Sequence, residues 1–262
     1  MLILLSPAKS LDYASRIPRL PVTTPRLLAE SERLVEVMRR KSVAELAALA
    51  DISDELAALN AQRWSEFSLP FTRQNARPAV LAFDGDVYRG IDARQRFGAR
   101  DYTEAGKTVR ILSGLYGVLR PLDLIQPYRL EMGTRVTTDR GNSLYDWWGA
   151  GVTDLLAADL AASPGSKLVV NLASSEYYGV VRPERLDAPV ISPRFEDTNA
   201  QGRRSVVSFY AKRARGEMAA WLVTRRARTA SAVKDFDAAG YRYDEAASTR
   251  EAPVFVRSFA DR

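Results

Sequence analysis

The chain opens on an unbroken apolar run, Met1-Leu2-Ile3-Leu4-Leu5, that stops at Ser6-Pro7-Ala8-Lys9. A short run that is apolar at every position and closed by a proline predicts a buried strand whose carboxyl end presents the polar residues after it. A polar connection spaced by Pro18, Pro21 and Pro25 follows, and Thr24-Pro25 predicts a helix start. That helix runs to about residue 40 with Leu27, Leu34, Val35 and Met38 on one face. Ser42-Val43-Ala44-Glu45 spells a capping box, and Ser53 caps a third helix carrying Leu56, Leu59, Trp64 and Phe67.

From Ala79 the pattern shortens. Residues 79–83 read as a strand that ends in the turn Asp84-Gly85-Asp86-Val87-Tyr88. Residues 101–112 read as a helix with Tyr102, Ala105, Val109 and Leu112 inside, ending at Ser113-Gly114-Leu115-Tyr116-Gly117, and Pro121 cuts short what comes next. Residues 128–132 alternate like a strand, and Ser143 caps a helix to about residue 162. Residues 167–173 form a strand, 189–196 and 204–211 are strands able to pair, 212 to about 228 is a basic helix, and 241–243 and 253–259 are closing strands. No repeat, low-complexity tract or long linker interrupts the chain. Clustered helices with paired strands predict an α+β (mixed α/β) fold in a single compact domain over residues 1–262, not a regular doubly wound one.

Composition narrows the chemistry. Among 262 residues there is no Cys and no His. Thiol peroxidases, disulfides, iron–sulfur clusters, imidazole bases and His-containing metal triads are therefore excluded. The apolar start is too short for a secretory core and no run approaches the roughly 20 apolar residues of a membrane span, so the expected compartment is the cytoplasm. The net charge of +6 is concentrated. Between residues 203 and 228 stand Arg203, Arg204, Lys212, Arg213, Arg215, Arg225, Arg226 and Arg228 against Glu217 alone, which leaves the rest of the chain near neutral. Such an excess is the footprint of a phosphate-binding surface, or of a solvated helix in an Arg-rich chain.

Two further segments carry candidate chemistry. Ser113-Gly114-Leu115-Tyr116-Gly117, flanked by Val118 and Leu119, has the Gly-apolar-X-Gly form of a helix-hairpin-helix centre, whose glycines would let backbone amides meet a phosphate; a glycine-capped helix end gives the same letters. Polar residues also gather at the ends of the expected strands: Ser6 and Lys9; Asp84, Asp86 and Tyr88; Tyr128, Arg129 and Glu131; Asn171, Ser174, Ser175, Glu176 and Tyr177; Tyr210, Lys212 and Arg215. Strand ends are where α/β sheets build sites. The bland alternatives are turn caps at Asp84 and Asp86 and a structural Arg129–Glu131 ion pair. Lys9 and Lys212 stand out because only a Lys amine forms a Schiff base.

Ser6-Pro7-Ala8-Lys9, Phe83-Asp84-Gly85-Asp86-Val87-Tyr88, the stretch from Leu112-Ser113-Gly114 to Arg120-Pro121-Leu122-Asp123, Gln126 to Gly133, Asn171-Leu172-Ala173-Ser174 with Glu176-Tyr177, and Phe209-Tyr210-Ala211-Lys212 with Ala214-Arg215-Gly216 resemble, in this order, the YaaA family of bacterial peroxide stress proteins. The resemblance implies a fold peculiar to the family with a positively charged cleft. It also implies a helix-hairpin-helix-like element, here about residues 101–122, DNA binding, and a role in keeping available iron low. The leading expectation is a DNA-binding stress protein of low sequence specificity that contacts phosphates through Ser113, Gly114, Leu115, Tyr116, Gly117, Arg120, Arg129, Lys212, Arg213 and Arg215. The alternative is a lyase or glycosylase-like enzyme in which Lys9 or Lys212 is the nucleophile and Asp84, Asp86, Glu131 or Glu176 moves the proton. Oxygen ligation of iron by those four carboxylates is the third reading. No cofactor, resident metal or membrane partner is expected.

Overall fold

A computed structural model describes all residues 1–262. The central sheet contains β1 (Leu2–Leu5), β2 (Val109–Ser113), β3 (Gly117–Leu119), β4 (Val169–Asn171) and β5 (Val190–Ile191), in the spatial order β3-β2-β1-β4-β5. β1 lies parallel to both β2 and β4, with Ile3 opposite Val109 and Leu2 opposite Val169. Every residue of β1 and β2 is buried, as a sheet covered on both faces requires. The apolar start of the chain is thus the middle of the core.

The first helix begins at Leu28 with no side-chain cap, past the start expected at Thr24-Pro25, whereas the next two form where serines cap them. α1 spans Leu28–Arg39, α2 Val43–Ala50 and α3 Asp54–Glu66. Ser42 and Glu45 close a reciprocal capping box on α2, and Ser53 caps α3. Leu56 and Leu59, expected inside, stay exposed on α3 while Trp64 is buried. α4 (Asp86–Ile91) and α5 (Ala99–Thr108) precede β2, and α6 (Gly151–Ala162) precedes β4. A second sheet, β6 (Arg194–Thr198), β7 (Arg204–Ser205), β8 (Tyr241–Asp244) and β9 (Val254–Arg257), has the order β7-β6-β9-β8. The long α7 (Ser208–Thr224) leads back from it. One contiguous core runs from Met1 through Tyr116 and Trp147 to Phe195 and Phe255, so the two sheets belong to a single compact mixed α/β body. No helix is long and apolar enough to cross a membrane.

Several expectations are corrected. Residues 109–119 are a β-hairpin, not a helix-hairpin-helix: α5 ends at Thr108, and β2 and β3 pair antiparallel, with Ile111 opposite Leu119 and Ser113 opposite Gly117. Val109 and Leu112 continue the helical spacing of Tyr102 and Ala105, but Val109–Ser113 is buried on both faces and pairs with β1. Ser113, Gly114, Leu115, Tyr116 and Gly117 are all buried, so this turn cannot reach a phosphate. Residues 79–82 form a helical turn, and strand geometry is confined to Phe83–Asp84. Residues 128–132 alternate in burial but have no ladder partner, and Met132 begins a turn. The helix expected over 143–162 breaks at Gly149, which has φ of +50°. Residues 208–211, expected in a strand, are the first turn of α7.

Candidate functional site

The chain leaves β1 toward β2 on one side, whereas β4 continues to β5 on the other. Connections that diverge in this way open a crevice beyond the carboxyl ends of the strands, here between β1 and β4. Ser6 and Ser174 are the first polar side chains past these ends. Ser6 Oγ accepts the Ser174 N–H at 2.9 Å and lies 3.3 Å from Ser174 Oγ, stitching the base of the crevice. Tyr88 O–H donates to the Ser6 carbonyl at 2.9 Å. Burial holds the phenols of Tyr88, Tyr128 and Tyr177 far above their ordinary range, so all three stay neutral.

Above this floor opens a cleft of about 560 Å³, a size suited to a nucleotide-sized ligand. Four segments supply its charged lining. Lys9 comes from the loop after β1. Asp84 lies in the short pair formed by Phe83–Asp84 and Ser10–Leu11, and Asp86 and Arg89 come from α4. Glu131 and Glu176 project from the 128–132 segment and the turn after β4. Lys212 and Arg215 stand on the first two turns of α7. Six dispersed catalytic candidates of the sequence, together with Arg215, therefore meet in one place.

Glycines set how closely these walls approach. A Cβ on Gly216 would sit 1.8 Å from the Val87 carbonyl oxygen, and one on Gly90 would sit 2.2 Å from the Arg213 carbonyl oxygen. α4 and α7 thus pack backbone to backbone, which brings the Asp86 and Lys212 walls onto one cleft. A Cβ on Gly85 would likewise press on Ala8 at 2.9 Å.

The lining is charge-balanced, which corrects the expected basic cleft. Lys9, Arg89, Lys212 and Arg215 face Asp84, Asp86, Glu131 and Glu176. Arg89 grips Asp84 at 3.0 Å, and the Lys9 amine lies 3.3 Å from Glu131 Oε1, which the Arg129 guanidinium also approaches at 3.3 Å. Glu176 accepts the Gly133 N–H at 3.0 Å. Lys212 and Arg215 have neither an ion-pair nor a hydrogen-bond partner, and Arg215 is half-buried, so that burial depresses its pKa. A cation left without a partner at a concave surface is a receptor for an anion.

Other candidates fall away from this centre. Arg120 is tied to Asp123, which has no exposed surface, at 2.9 Å, and donates to the Thr24 carbonyl. Arg213 points toward buried Glu217 at 4.0 Å, a carboxylate that Arg96 holds at 2.5 Å. Gly114 is needed because a Cβ there would lie 2.2 Å from the Leu130 carbonyl oxygen, while Trp148 donates to the Gly114 carbonyl. The charge excess of residues 203–228 is dispersed too: Arg204 pairs with Glu196 and Asp244, Arg226 with Asp101, and Arg228 with Glu104. The carboxylates do not bear out iron ligation, since no three acidic groups converge on one point. Arg89 was absent from the sequence reading; nothing distinguishes it there from the other arginines.

The family model described as peroxide stress protein YaaA matches residues 1–247. A UPF0246 protein of Idiomarina loihiensis, IL2146, is 51% identical over 258 residues, covering 98% of this chain and 99% of its own length. Reut_A1014 of Cupriavidus pinatubonensis, also a UPF0246 protein, is 50% identical over the full length of both chains. A third, from Alcanivorax borkumensis, is 48% identical over 98% of each.

Proposed function

The chain belongs to the peroxide stress protein YaaA family, and from that premise we propose that it protects DNA by holding the phosphate backbone at the mouth of the cleft between β1 and β4. One observation carries this reading: Lys212 and Arg215, three residues apart on α7, line a concave surface with no carboxylate within ion-pair distance of either. Binding through two or three such contacts is weakly sequence-dependent and favours a strand that can bend into the cleft. Phe209, one turn before Lys212 and 52% exposed, offers a flat ring on which an unpaired base can stack. Each phosphate met by Lys or Arg releases condensed cations, so bound protein also displaces iron from the backbone, where iron-driven oxidation of DNA would begin. With no cysteine in the chain, protection by thiol turnover is excluded.

Fluorescence anisotropy with labelled intact, bulged and abasic DNA tests the proposal. Lys212→Gln and Arg215→Gln should each weaken binding about tenfold at low salt. Phe209→Ala should lower affinity for the bulged strand more than for the intact duplex. Wild-type affinity in both charge variants would reject the reading.

The Lys9–Glu131 contact supports a second reading, an amine lyase. The Lys9 amine would add to the aldehyde carbon of an abasic sugar and lose water to form an imine, with Glu131 moving the proton. Borohydride would reduce that imine to a stable secondary amine. A trapped adduct that disappears in Lys9→Arg assigns the enzyme, and its absence leaves the binding reading.

A further inference from the structure

A second cavity shares no lining residue with the cleft. It encloses about 360 Å³ between the segment around Tyr13, the end of α3 and the turn at residues 72–77. Arg63, Arg73 and Arg77 converge on it, and none of the three lies within ion-pair distance of a carboxylate. Its one acidic residue, Glu66, is exposed on α3 and already accepts a hydrogen bond from Gln62 at 2.7 Å. Outside the cleft, where Arg215 stands unpaired, other arginines with little exposed side chain are paired: Arg110 with Asp159, Arg94 with Asp12, Arg129 with Glu131. Arg63 is half-buried without that compensation. Burial lowers its pKa, a nearby Tyr13 opposes the shift, and the charge of Arg129 adds to it.

Part of the cluster has a structural task. Arg77 donates to the carbonyls of Ser15 and Tyr13 and stacks over the Tyr13 ring, and Arg73 donates to the Leu20 carbonyl. These bonds fasten the chain over residues 13–20. They do not account for Arg63, whose one partner is Asn60 at 3.4 Å, nor for three like charges around one cavity. A guanidinium carries five donors, so each arginine retains N–H groups for a ligand.

We propose that this cavity is a binding site for a small anion of the polyphosphate class, carrying at least two negative charges and held by Arg63, Arg73 and Arg77. Forked guanidiniums suit phosphoryl oxygens, and the volume admits a di- or triphosphate. The site is independent of the DNA-binding cleft. Isothermal titration of the full chain with pyrophosphate tests it. Saturable binding near one equivalent is expected, with Arg63→Gln and Arg73→Gln each weakening it about tenfold and Lys212→Gln leaving it unchanged. Arg63→Gln is the deciding variant because Arg73 and Arg77 also fasten the chain, and a thermal melt confirms that both variants fold. Comparing tripolyphosphate with adenosine triphosphate separates the sources: tighter nucleotide binding identifies a nucleotide ligand, and equal binding identifies a bare polyphosphate. No saturable binding, or binding lost in Lys212→Gln but kept in Arg63→Gln, would overturn the proposal.

Discussion

At the scale of the residue, the same letter serves opposite purposes, and only its neighbours decide which. Gly114 looks in the sequence like a glycine that clears room for a phosphate, yet the room is taken by the Leu130 carbonyl. Gly114→Val is therefore expected to destabilise the fold by about 3 kcal/mol, as overpacking does, rather than to remove a DNA contact. Urea denaturation checks it; a variant of wild-type stability that had lost DNA binding would contradict it. Arg120 follows the same logic. Removing it as Arg120→Ala leaves the buried Asp123 carboxylate without its cation, held only by the Thr23 hydroxyl and the residue-120 N–H, a loss of about 3 kcal/mol, while the salt dependence of DNA binding stays as it was. That the cleft residues come together was legible because the ends of parallel strands share one edge of the sheet. Arg120 and the 113–117 turn were misread because tertiary partners distant in sequence, Thr24 and Leu130, are invisible to a local pattern.

At the scale of the element, capping chemistry was read well and strand length poorly. Ser42, Ser53 and Ser143 cap helices as their spacing predicts, because a side-chain oxygen and an amide three residues on are local partners. Val109–Ser113 is buried on both faces, so it lacks the alternation that marks a strand and merges with the preceding helical pattern. The aromatic pair Phe209-Tyr210 hides the start of α7 for a similar reason, since aromatic residues favour strands. The packing of α4 on α7 positions the proposed phosphate contacts. Gly216→Ala would push a methyl group into the Val87 carbonyl, part the two helices, and weaken both stability, by about 1–3 kcal/mol, and DNA binding. Parallel urea and anisotropy titrations should show both losses together; a stable variant with unchanged affinity would contradict the role given to this contact. α6 is fastened to β2 by Asp159, which Arg110 meets at 2.6 Å and Arg26 at 2.7 Å. Burial raises the Asp159 pKa, but hydrogen bonds from Arg26 and Arg110 outweigh it and hold the carboxyl below its ordinary value. Its folded pKa lies below the unfolded one, so its stabilising effect is present above about pH 4 and fades as pH falls through the folded value. The stability gap between wild type and Asp159→Asn should be wide at pH 7 and close below pH 4. A gap that does not change with pH would contradict this linkage.

At the scale of the whole molecule, half of the basic residues in 203–228 are held in ion pairs. Arg204, Arg226 and Arg228 clamp acidic partners from other elements, and the cation pair that remains free in the cleft is Lys212 and Arg215. The proposed DNA binding therefore rests on two side chains at the divergence of β1 and β4, not on net charge. Salt titration of DNA affinity separates these directly. Lys212→Gln/Arg215→Gln and Arg203→Gln/Arg225→Gln change the net charge equally, and neither Arg203 nor Arg225 lines the cleft. The slope of log affinity against log salt should fall by about two in the first double variant and stay near wild type in the second. Equal losses in both, or none in either, would contradict the account.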